Sequence, residues 1–196
     1  GFGRKLFDHL EELNTKPDQV DIILLTHMHG DHIGGLLRDG KKAFPNADLY
    51  ISNVEHDYWM NEDKEAQVNV INVYKSNLKL FDAQALNDAA TDLISGVKAF
   101  AAYGHTPGHT AFMFESDGVK LLVWGDLTHA MRLQMPCPEV AVTYDVDPVA
   151  ATQSRKEILE YVSRHKIPVA GMHIAFPAMG AVSSGQENGY IFRAFE

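Results

Sequence analysis

The stretch Leu25-Thr26-His27-Met28-His29-Gly30-Asp31-His32 decides the fold of this chain, and it follows directly on the apolar residues Ile22-Ile23-Leu24. A short, β-branched apolar run after a Pro-Asp turn signal predicts a buried strand. Side chains two residues apart on a strand point to the same side, so His27 and His29 are expected to converge just past the strand end.

The next residues extend this cluster. Gly30 lets the backbone turn sharply, which swings Asp31 and His32 towards a second point nearby. A lone histidine at a strand end is usually only a satisfied polar residue, but four ligand-type side chains within six residues indicate a shared function. Because neutral imidazoles and carboxylates bind divalent zinc, manganese or iron, the stretch predicts a metal site.

Length and composition narrow the class of protein. The chain has 196 residues, which fits a single domain over residues 1–196 with a sizeable core. Its formal net charge of −9, without a cluster of Lys and Arg, argues against a nucleic-acid partner. Its apolar runs are too short for a membrane span, which argues against a membrane partner. Cys137 is its one cysteine, so these residues form neither an internal disulfide nor a cysteine-based zinc site.

Hydrophobic periodicity predicts helices and strands along the chain. Helices are expected at about 4–14, 33–37 and 148–165, and strands at 22–25, 47–52, 99–103, 111–114, 120–124 and 167–171. Residues 55–80 are polar and helical in outline. This segment fits either a helical flap beside the metal site or a plain pair of surface helices, because amphipathic spacing does not separate the two.

Three later strands also end in ligand-type residues. His109, Asp126 and His173 each follow an apolar strand and lie beside or near a glycine. In α/β scaffolds, strands that stack side by side end at one edge, which gathers distant residues into one site. With the first cluster this gives seven ligands, which is too many for one tetrahedral zinc and suits two metals that share a bridging carboxylate.

The combined motifs resemble a known family. His-x-His-x-Asp-His after an apolar strand, then Thr106-Pro107-Gly108-His109, Gly125-Asp126 and the late His173, is similar to the metallo-β-lactamase-fold hydrolases over nearly the whole chain. The resemblance implies an α/β fold of four layers, an αββα sandwich. It also implies two zinc ions, with manganese, iron or cobalt as alternatives, held as follows: the first by His27, His29 and His109, the second by Asp31, His32 and His173, and both by the bridging Asp126.

The C-terminal half is similar to one branch of that family. Its motifs are Trp124-Gly125-Asp126-Leu127-Thr128-His129, Tyr144-Asp145-Val146-Asp147-Pro148 and His173-Ile174-Ala175-Phe176-Pro177. The branch holds N-acyl-homoserine lactonases and methyl parathion hydrolase, which implies hydrolysis of a lactone or a related neutral ester. The true β-lactamases of the superfamily usually lack the histidine of Asp31-His32 or use a cysteine ligand, whereas this chain has the full histidine set.

The N-terminus departs from the family pattern. Family members carry several strands before the first ligand motif, and about twenty residues cannot supply them at typical strand lengths. The family's Asp-Thr-Gly turn is entered here at Gly1-Phe2-Gly3. We therefore expect the N-terminal strands to be absent from this chain, and an edge strand to lie unpaired or to pair with a separate N-terminal fragment or a second copy.

The resemblance also implies a mechanism. Two metals about 3.5–4 Å apart lower the pKa of a bridging water until it attacks as hydroxide, and they polarise the ester oxygen. Asp31 is expected to pass a proton as well as to bind metal. His129 stands where some lactonases of the family carry a tyrosine that contacts the substrate oxygen, so it is either a proton or hydrogen-bond donor or a solvent-facing loop residue. His105 is expected to support the ligand loop.

The surroundings favour a small apolar substrate. Apolar side chains expected to flank or cap the site, which suit an acyl chain or an aromatic leaving group, are Tyr58, Trp59, Met60, Met131 and Phe176. The open alternatives are a phosphotriesterase, a glyoxalase II-like thioesterase and a di-iron electron-transfer or oxygen-reducing module. The thioesterase would need basic residues to hold glutathione, and the di-iron module would need a flavin domain.

Overall fold

The computed structural model describes residues 4–196, and the chain divides into two compact units, Gly1–Phe81 and Asp82–Glu196. The predicted turn at Gly1-Phe2-Gly3 lies outside the described residues. Both units combine helices with β-sheet, as expected of an α/β protein. The prediction of one domain over residues 1–196 stays a prediction. Among the helices described for residues 4–196, none is long and apolar enough to cross a membrane.

The first unit is built on a three-stranded parallel sheet. Its described elements are α1 (Arg4–Glu12), β1 (Ile22–Leu24), α2 (Gly30–Ile33), β2 (Leu37–Arg38), β3 (Lys41–Lys42), β4 (Asp48–Ser52), α3 (Asn53–Glu62), α4 (Glu65–Tyr74) and β5 (Leu78–Phe81). The strands β1 and β5 each pair in parallel with β4, and β2 pairs antiparallel with β3. Within the described residues β1 is therefore an edge strand, and its pairing with any further segment stays a prediction.

The core of the first unit surrounds β4. Leu49 and Ile51 on this central strand are fully buried, because both faces of a parallel sheet are usually covered. At the end of β4, the hydroxyl of Ser52 accepts the backbone N–H of Glu55 at 3.2 Å and caps the start of α3. This cap fixes the direction of α3 and places Glu55 in its first turn.

The second unit is built on a six-stranded sheet. Its elements are β6 (Val97–Ala101), β7 (Thr110–Ser116), β8 (Val119–Val123), α5 (Met131–Gln134), α6 (Pro148–His165), β9 (Val169–Ala170), β10 (Met179–Ser184) and β11 (Tyr190–Ala194). The strand order is β11-β10-β9-β8-β7-β6, with β8 and β9 parallel and the other neighbours antiparallel.

The helix α6 supplies one side of the core of this second unit. It starts with Pro148 directly after Asp147, whose carboxylate accepts the N–H groups of the first helical turn. Ile158, Leu159 and Val162 are buried as the periodicity predicted, in a cluster that includes residues of the sheet. Burying each of these side chains stabilises the fold by about 1.5–3 kcal/mol.

Two predicted elements were wrong, and a hairpin was missed. The short helix expected at 33–37 lies instead at Gly30–Ile33, because His29 is still extended and Gly34 ends the helix. Residues 78–81, expected to be helical, form β5 because they pair in register with β4. The hairpin of β10 and β11 was not predicted, since β10 (Met-Gly-Ala-Val-Ser-Ser) has a weak strand pattern and forms by pairing with β9 and β11.

Candidate metal centre

The first unit presents the ligand-type stretch at the end of β1. His29 is the extended residue before α2, so Asp31 and His32 lie in the first turn of that helix. The ring centroid of His27 lies 4.8 Å from that of His29 and 4.0 Å from that of His32. Nε2 of His32 lies 3.6 Å from Oδ2 of Asp31. The four predicted ligands of this stretch are therefore neighbours within the first unit.

The residue between the first two histidines is held from both sides by α3 and α4. The carboxylate of Glu55 accepts the backbone N–H of Met28 at 2.8 Å and the indole N–H of Trp59 at 2.6 Å. The side-chain amide of Gln67 donates to the carbonyl oxygen of Met28 at 2.9 Å. These buried bonds satisfy both backbone polar groups of Met28 and fix the extended shape of the His-x-His segment.

These hydrogen bonds bear on the two alternatives for residues 55–80, which were a helical flap beside the metal site and a plain pair of surface helices. The helices α3 and α4 are more than a surface pair, because Glu55 and Gln67 are buried against the ligand segment. Trp59 is 7% exposed, and its ring centroid lies 5.7 Å from that of His29, so it packs in the core of the first unit. Met60 is exposed. The sequence held no signal for the role of Glu55, since an acidic residue in the first turn of a helix is common.

We expect Glu55→Ala to lower the free energy of unfolding by about 3 kcal/mol, because two buried N–H donors lose their acceptor at roughly 1–3 kcal/mol each. Urea-induced unfolding followed by circular dichroism measures this loss. Glu55→Gln keeps an acceptor oxygen and should cost less. Glu62→Ala, on the exposed part of the same helix, is the matched control and should change stability little. Equal losses for the two alanine variants would contradict the proposed support.

Asp126 is the centre of the histidine cluster in the second unit. Its Oδ2 lies 2.9 Å from Nε2 of His173, 3.1 Å from Nε2 of His129 and 3.4 Å from Nε2 of His105. The residue is 3% exposed and follows Gly125, which has a left-handed φ of 57°. Imidazole nitrogens gathered on a buried carboxylate oxygen form the kind of donor set that zinc and similar divalent ions bind.

His109 and His105 differ in what their ring nitrogens contact. Nδ1 of His109 donates to the carbonyl oxygen of Ala102 at 2.9 Å, and its Nε2 accepts the backbone N–H of Asp126 at 3.0 Å. Both nitrogens of His109 thus contact backbone groups. Nε2 of His105 faces the carboxylate of Asp126, and its Nδ1 contacts Asp145. The ligand role predicted for His109 and the supporting role predicted for His105 both stay predictions.

Two buried charged residues were not predicted to have a role. Asp145 lies beside His105, and Arg155 lies beside Asp145. Possible ligand atoms of His105, His129 and Asp145 all lie within 4.8 Å of one another. Arg155 is 1% exposed. The sequence held one signal for it: Arg155 occupies a position of α6 on the stripe that otherwise carries inward apolar residues, and a cation in such a stripe needs buried partners.

The pKa values of His105 and Asp145 are shifted in opposite directions. Burial lowers the pKa of His105, but its hydrogen bonds with Asp126 and Asp145 outweigh burial, so the net pKa is raised. Burial raises the pKa of Asp145, but its hydrogen bonds with His105 and Val142 outweigh burial, so the net pKa is lowered. The surroundings of His105 therefore favour a positive charge at its ring. A bound divalent cation would place the same sign of charge there, so the donor set fits a metal ion.

The side chain of His129 is mostly buried in the same cluster. Besides its contact with Asp126, its backbone N–H donates to the side chain of Gln134 at 2.7 Å. Its Nδ1 is buried and has no hydrogen-bond partner within residues 4–196. The ring centroid of the exposed Tyr144 lies 6.1 Å from that of His129. Since the His129 side chain is only 12% exposed, it is not the solvent-facing loop residue of the alternative prediction.

The comparison with protein families agrees with this fold and donor set. The model of the metallo-β-lactamase superfamily matches residues 2–165. The chain therefore belongs to the metallo-β-lactamase superfamily, and the predicted α/β fold class is confirmed.

Individual proteins of known structure or function are also similar to this chain. Among solved structures the chain is similar to AidC, a dizinc quorum-quenching lactonase in complex with a homoserine product, with a TM-score of 0.87 and 28% identity over 97% of this chain and 70% of that one. Among curated proteins it is similar to cleavage and polyadenylation specificity factor subunit 3-I of Arabidopsis thaliana, with 24% identity over 94% of this chain and 29% of that protein.

An N-acyl homoserine lactonase of Bacillus thuringiensis shares 22% identity over 83% of this chain and 59% of its own length. The chain thus spans less than two thirds of the length of these two curated relatives. The predicted resemblance to the lactonase branch is confirmed by these matches.

Proposed function

We propose that this protein is a metal-dependent hydrolase that opens the ring of a lactone of the N-acyl-homoserine kind. The observation that carries the proposal is the contact of 3.1 Å between His129 and Asp126, because it puts a proton donor beside a candidate metal ligand. The likeness to a dizinc lactonase over 97% of the chain supports the lactone as substrate class.

The donor atoms suit two divalent ions, with zinc the first choice and manganese, iron or cobalt as alternatives. The family implies that both ligand groups of the chain serve one dinuclear centre. Our proposed set is the one that the resemblance implies. It assigns one ion to His27, His29 and His109, the other to Asp31, His32 and His173, and both to Asp126.

When bound, such ions supply a water of lowered pKa and a Lewis acid for the ester carbonyl. The acyl C–O bond of the lactone breaks, and the ring-derived alkoxide needs a proton to leave as a hydroxyl group. The imidazole of His129 can donate a hydrogen bond or a proton to this oxygen, while Asp126 orients the ring. Asp31, whose side chain is 42% exposed, is the second candidate proton carrier.

The surface near His129 and His173 suits a neutral, apolar substrate. Tyr144, whose ring centroid lies 6.1 Å from that of His129, is exposed, as are Met172 and Phe176, which neighbour His173 in sequence. Phe176 is 94% exposed. Apolar surface with a few polar groups is typical of small-ligand sites. The net charge of −9 disfavours a nucleic-acid substrate, although one relative belongs to a polyadenylation factor.

A substrate panel on the zinc-loaded protein tests the proposal. It should contain an N-acyl-homoserine lactone, a phosphotriester with a phenol leaving group, a glutathione thioester and a β-lactam. We expect the lactone to have the highest kcat/KM. Chelator-treated protein is the control and should be inactive. Brisk phosphotriester cleavage without any lactone turnover would reverse the assignment of substrate.

A further inference from the structure

The strands β8 and β9 each lead into a loop that carries a proposed metal ligand. Asp126 lies three residues after the end of β8, and His173 lies three residues after the end of β9. The strands are parallel and Val123 pairs with Ala170, so the two loops start side by side. Oδ2 of Asp126 lies 2.9 Å from Nε2 of His173. The spacing of these two side chains therefore depends on how the two loops pack against each other.

Backbone hydrogen bonds join the first residues of the two loops. The N–H of Trp124 donates to the carbonyl oxygen of Ala170 at 2.9 Å, and the N–H of Met172 donates to that of Gly125 at 3.1 Å. Both loops then turn sharply, since Gly125 and His173 each have a left-handed φ of 57°. The two loops are thus held together up to the residues next to the ligands.

A close contact between a glycine and a tryptophan fills the space between these loops. Gly171 is buried, and an added Cβ there would overlap Nε1 of Trp124 and lie 2.6 Å from its Cδ1. Trp124 is fully buried, so its ring has no solvent into which it could move. Its Nε1 is buried and has no hydrogen-bond partner within residues 4–196. The position of the indole ring is therefore set by packing against the backbone of Gly171, without a polar contact at its nitrogen.

We propose that Gly171 is a positioning residue. Its lack of a side chain lets the indole of Trp124 lie against the loop after β9, and this contact sets the distance between Asp126 and His173. Ligand distances in metal sites stay within about 0.2 Å of their standard values, so a small displacement of one loop weakens metal binding. The inference rests on the proposed function in one respect, since it takes Asp126 and His173 as ligands of one ion, and it leaves the proposed ligand set unchanged.

Gly171→Ala tests the inference without any substrate. The methyl group should push the indole ring and the loop apart, so the zinc ion assigned to His173 should bind about 10- to 100-fold more weakly, as when other groups that orient metal ligands are lost. Competition with a chromogenic chelator measures the two zinc affinities, and the visible spectrum of the cobalt-loaded protein reports the geometry of the ligands. Wild-type affinity for both ions in Gly171→Ala would overturn the inference.

Gly171→Ala combined with Trp124→Leu is the complementary test. Leucine has no atom where Nε1 of Trp124 lies, so the added methyl group has room in the double variant. The double variant should therefore bind zinc more tightly than Gly171→Ala alone. A double variant that binds zinc no better than Gly171→Ala would overturn the inference, because the loss would then not come from the contact with the indole ring.

Gly180→Ala is the matched control, because it makes the same chemical change at another buried glycine of the same sheet. An added Cβ at Gly180 on β10 would overlap the carbonyl oxygen of Arg193 and lie 2.6 Å from Cζ of Phe192, both on β11. This variant should lower the melting temperature and keep both zinc affinities. An equal loss of zinc affinity in Gly180→Ala would overturn the inference, because any crowding of the sheet would then have the same effect.

A measurement on the wild-type protein covers the case in which Gly171→Ala fails to fold. The chain has two tryptophans, and the indole N–H of Trp59 donates to Glu55 at 2.6 Å. Because hydrogen bonding shifts an indole proton downfield, ¹H–¹⁵N spectra should show the proton of Trp124 upfield of that of Trp59, which Trp59→Phe assigns. A signal of Trp124 as far downfield as that of Trp59 would overturn the inference, since a polar group would then lie between the indole and Gly171.

Zinc binding and lactone hydrolysis are measured on the same wild-type sample. Two bound zinc ions without lactone hydrolysis would refute the proposed function and leave this inference standing. A wild-type protein that binds no metal would refute both.

Discussion

Asp126→Ala is expected to abolish binding of the metal pair and to lower hydrolysis by more than about 10²-fold, the upper range for residues that only support ligands. Asp126 is 3% exposed, and one of its oxygens lies within 3.4 Å of three imidazole nitrogens, so no other carboxylate of the second unit is as central. Without it, the Nε2 atoms of His105, His129 and His173 lose the carboxylate oxygen that they share. Elemental analysis should find near two equivalents of zinc in the wild-type protein and fewer than one in the variant.

Asp88→Ala is the control for this experiment. Asp88 is an exposed carboxylate of the same unit and accepts a hydrogen bond from Tyr161 at 2.8 Å, so its removal should leave metal content and activity unchanged. A wild-type protein with one stably bound metal and full activity would show that the two-metal proposal is wrong. Two metals retained by Asp126→Ala would show that Asp126 is not the bridge.

His129→Ala is expected to slow lactone hydrolysis about 10²-fold more than phosphotriester hydrolysis, which is the low end of general-acid contributions. The lactone releases an alkoxide that needs a proton, whereas an acidic phenol leaves readily without one. We assign this delivery to His129 because its Nε2 lies 3.1 Å from Asp126, the proposed bridging ligand. The kcat/KM of the zinc-loaded variant on both substrates measures the difference.

His9→Ala is the matched control for His129→Ala. His9 is an exposed histidine whose Nδ1 contacts only the nearby Glu12 among the interactions described for it, so its loss should change neither activity. Equal small losses on both substrates would remove His129 from the mechanism. Metal content must be measured in the same samples, because a loss of zinc would lower both activities together.

The sequence predicted the ligand stretch because its geometry is local. The alternation of a strand and the turn at Gly30 require only the residues themselves, and His27, His29 and His32 are neighbours as expected. Long, strongly periodic elements were also predictable, and α6 runs over the expected residues 148–165. The strands β5, β10 and β11 were not, because they are short and are defined by pairing with strands that are distant or not yet recognised in the sequence.

The sequence did not predict which side chains hold the ligand segments in place. Glu55 holds the backbone of Met28 across 27 residues, and Asp145 meets His105 across 40 residues. Neither carboxylate differs in sequence from a surface acid, because burial and the identity of a hydrogen-bond partner are properties of the packed chain.

The sequence by itself determined the family, the type of donor atoms and the position of the first ligand cluster, since these depend on residue type and short spacing. Tertiary structure alone decided what His105 and His109, which stand four residues apart in one loop, contact. The ring nitrogens of His109 contact the backbone of Ala102 and Asp126, whereas those of His105 face the carboxylates of Asp145 and Asp126. The partners of a histidine ring depend on the groups that the packed chain brings to it, and these are not readable from residue type or short spacing.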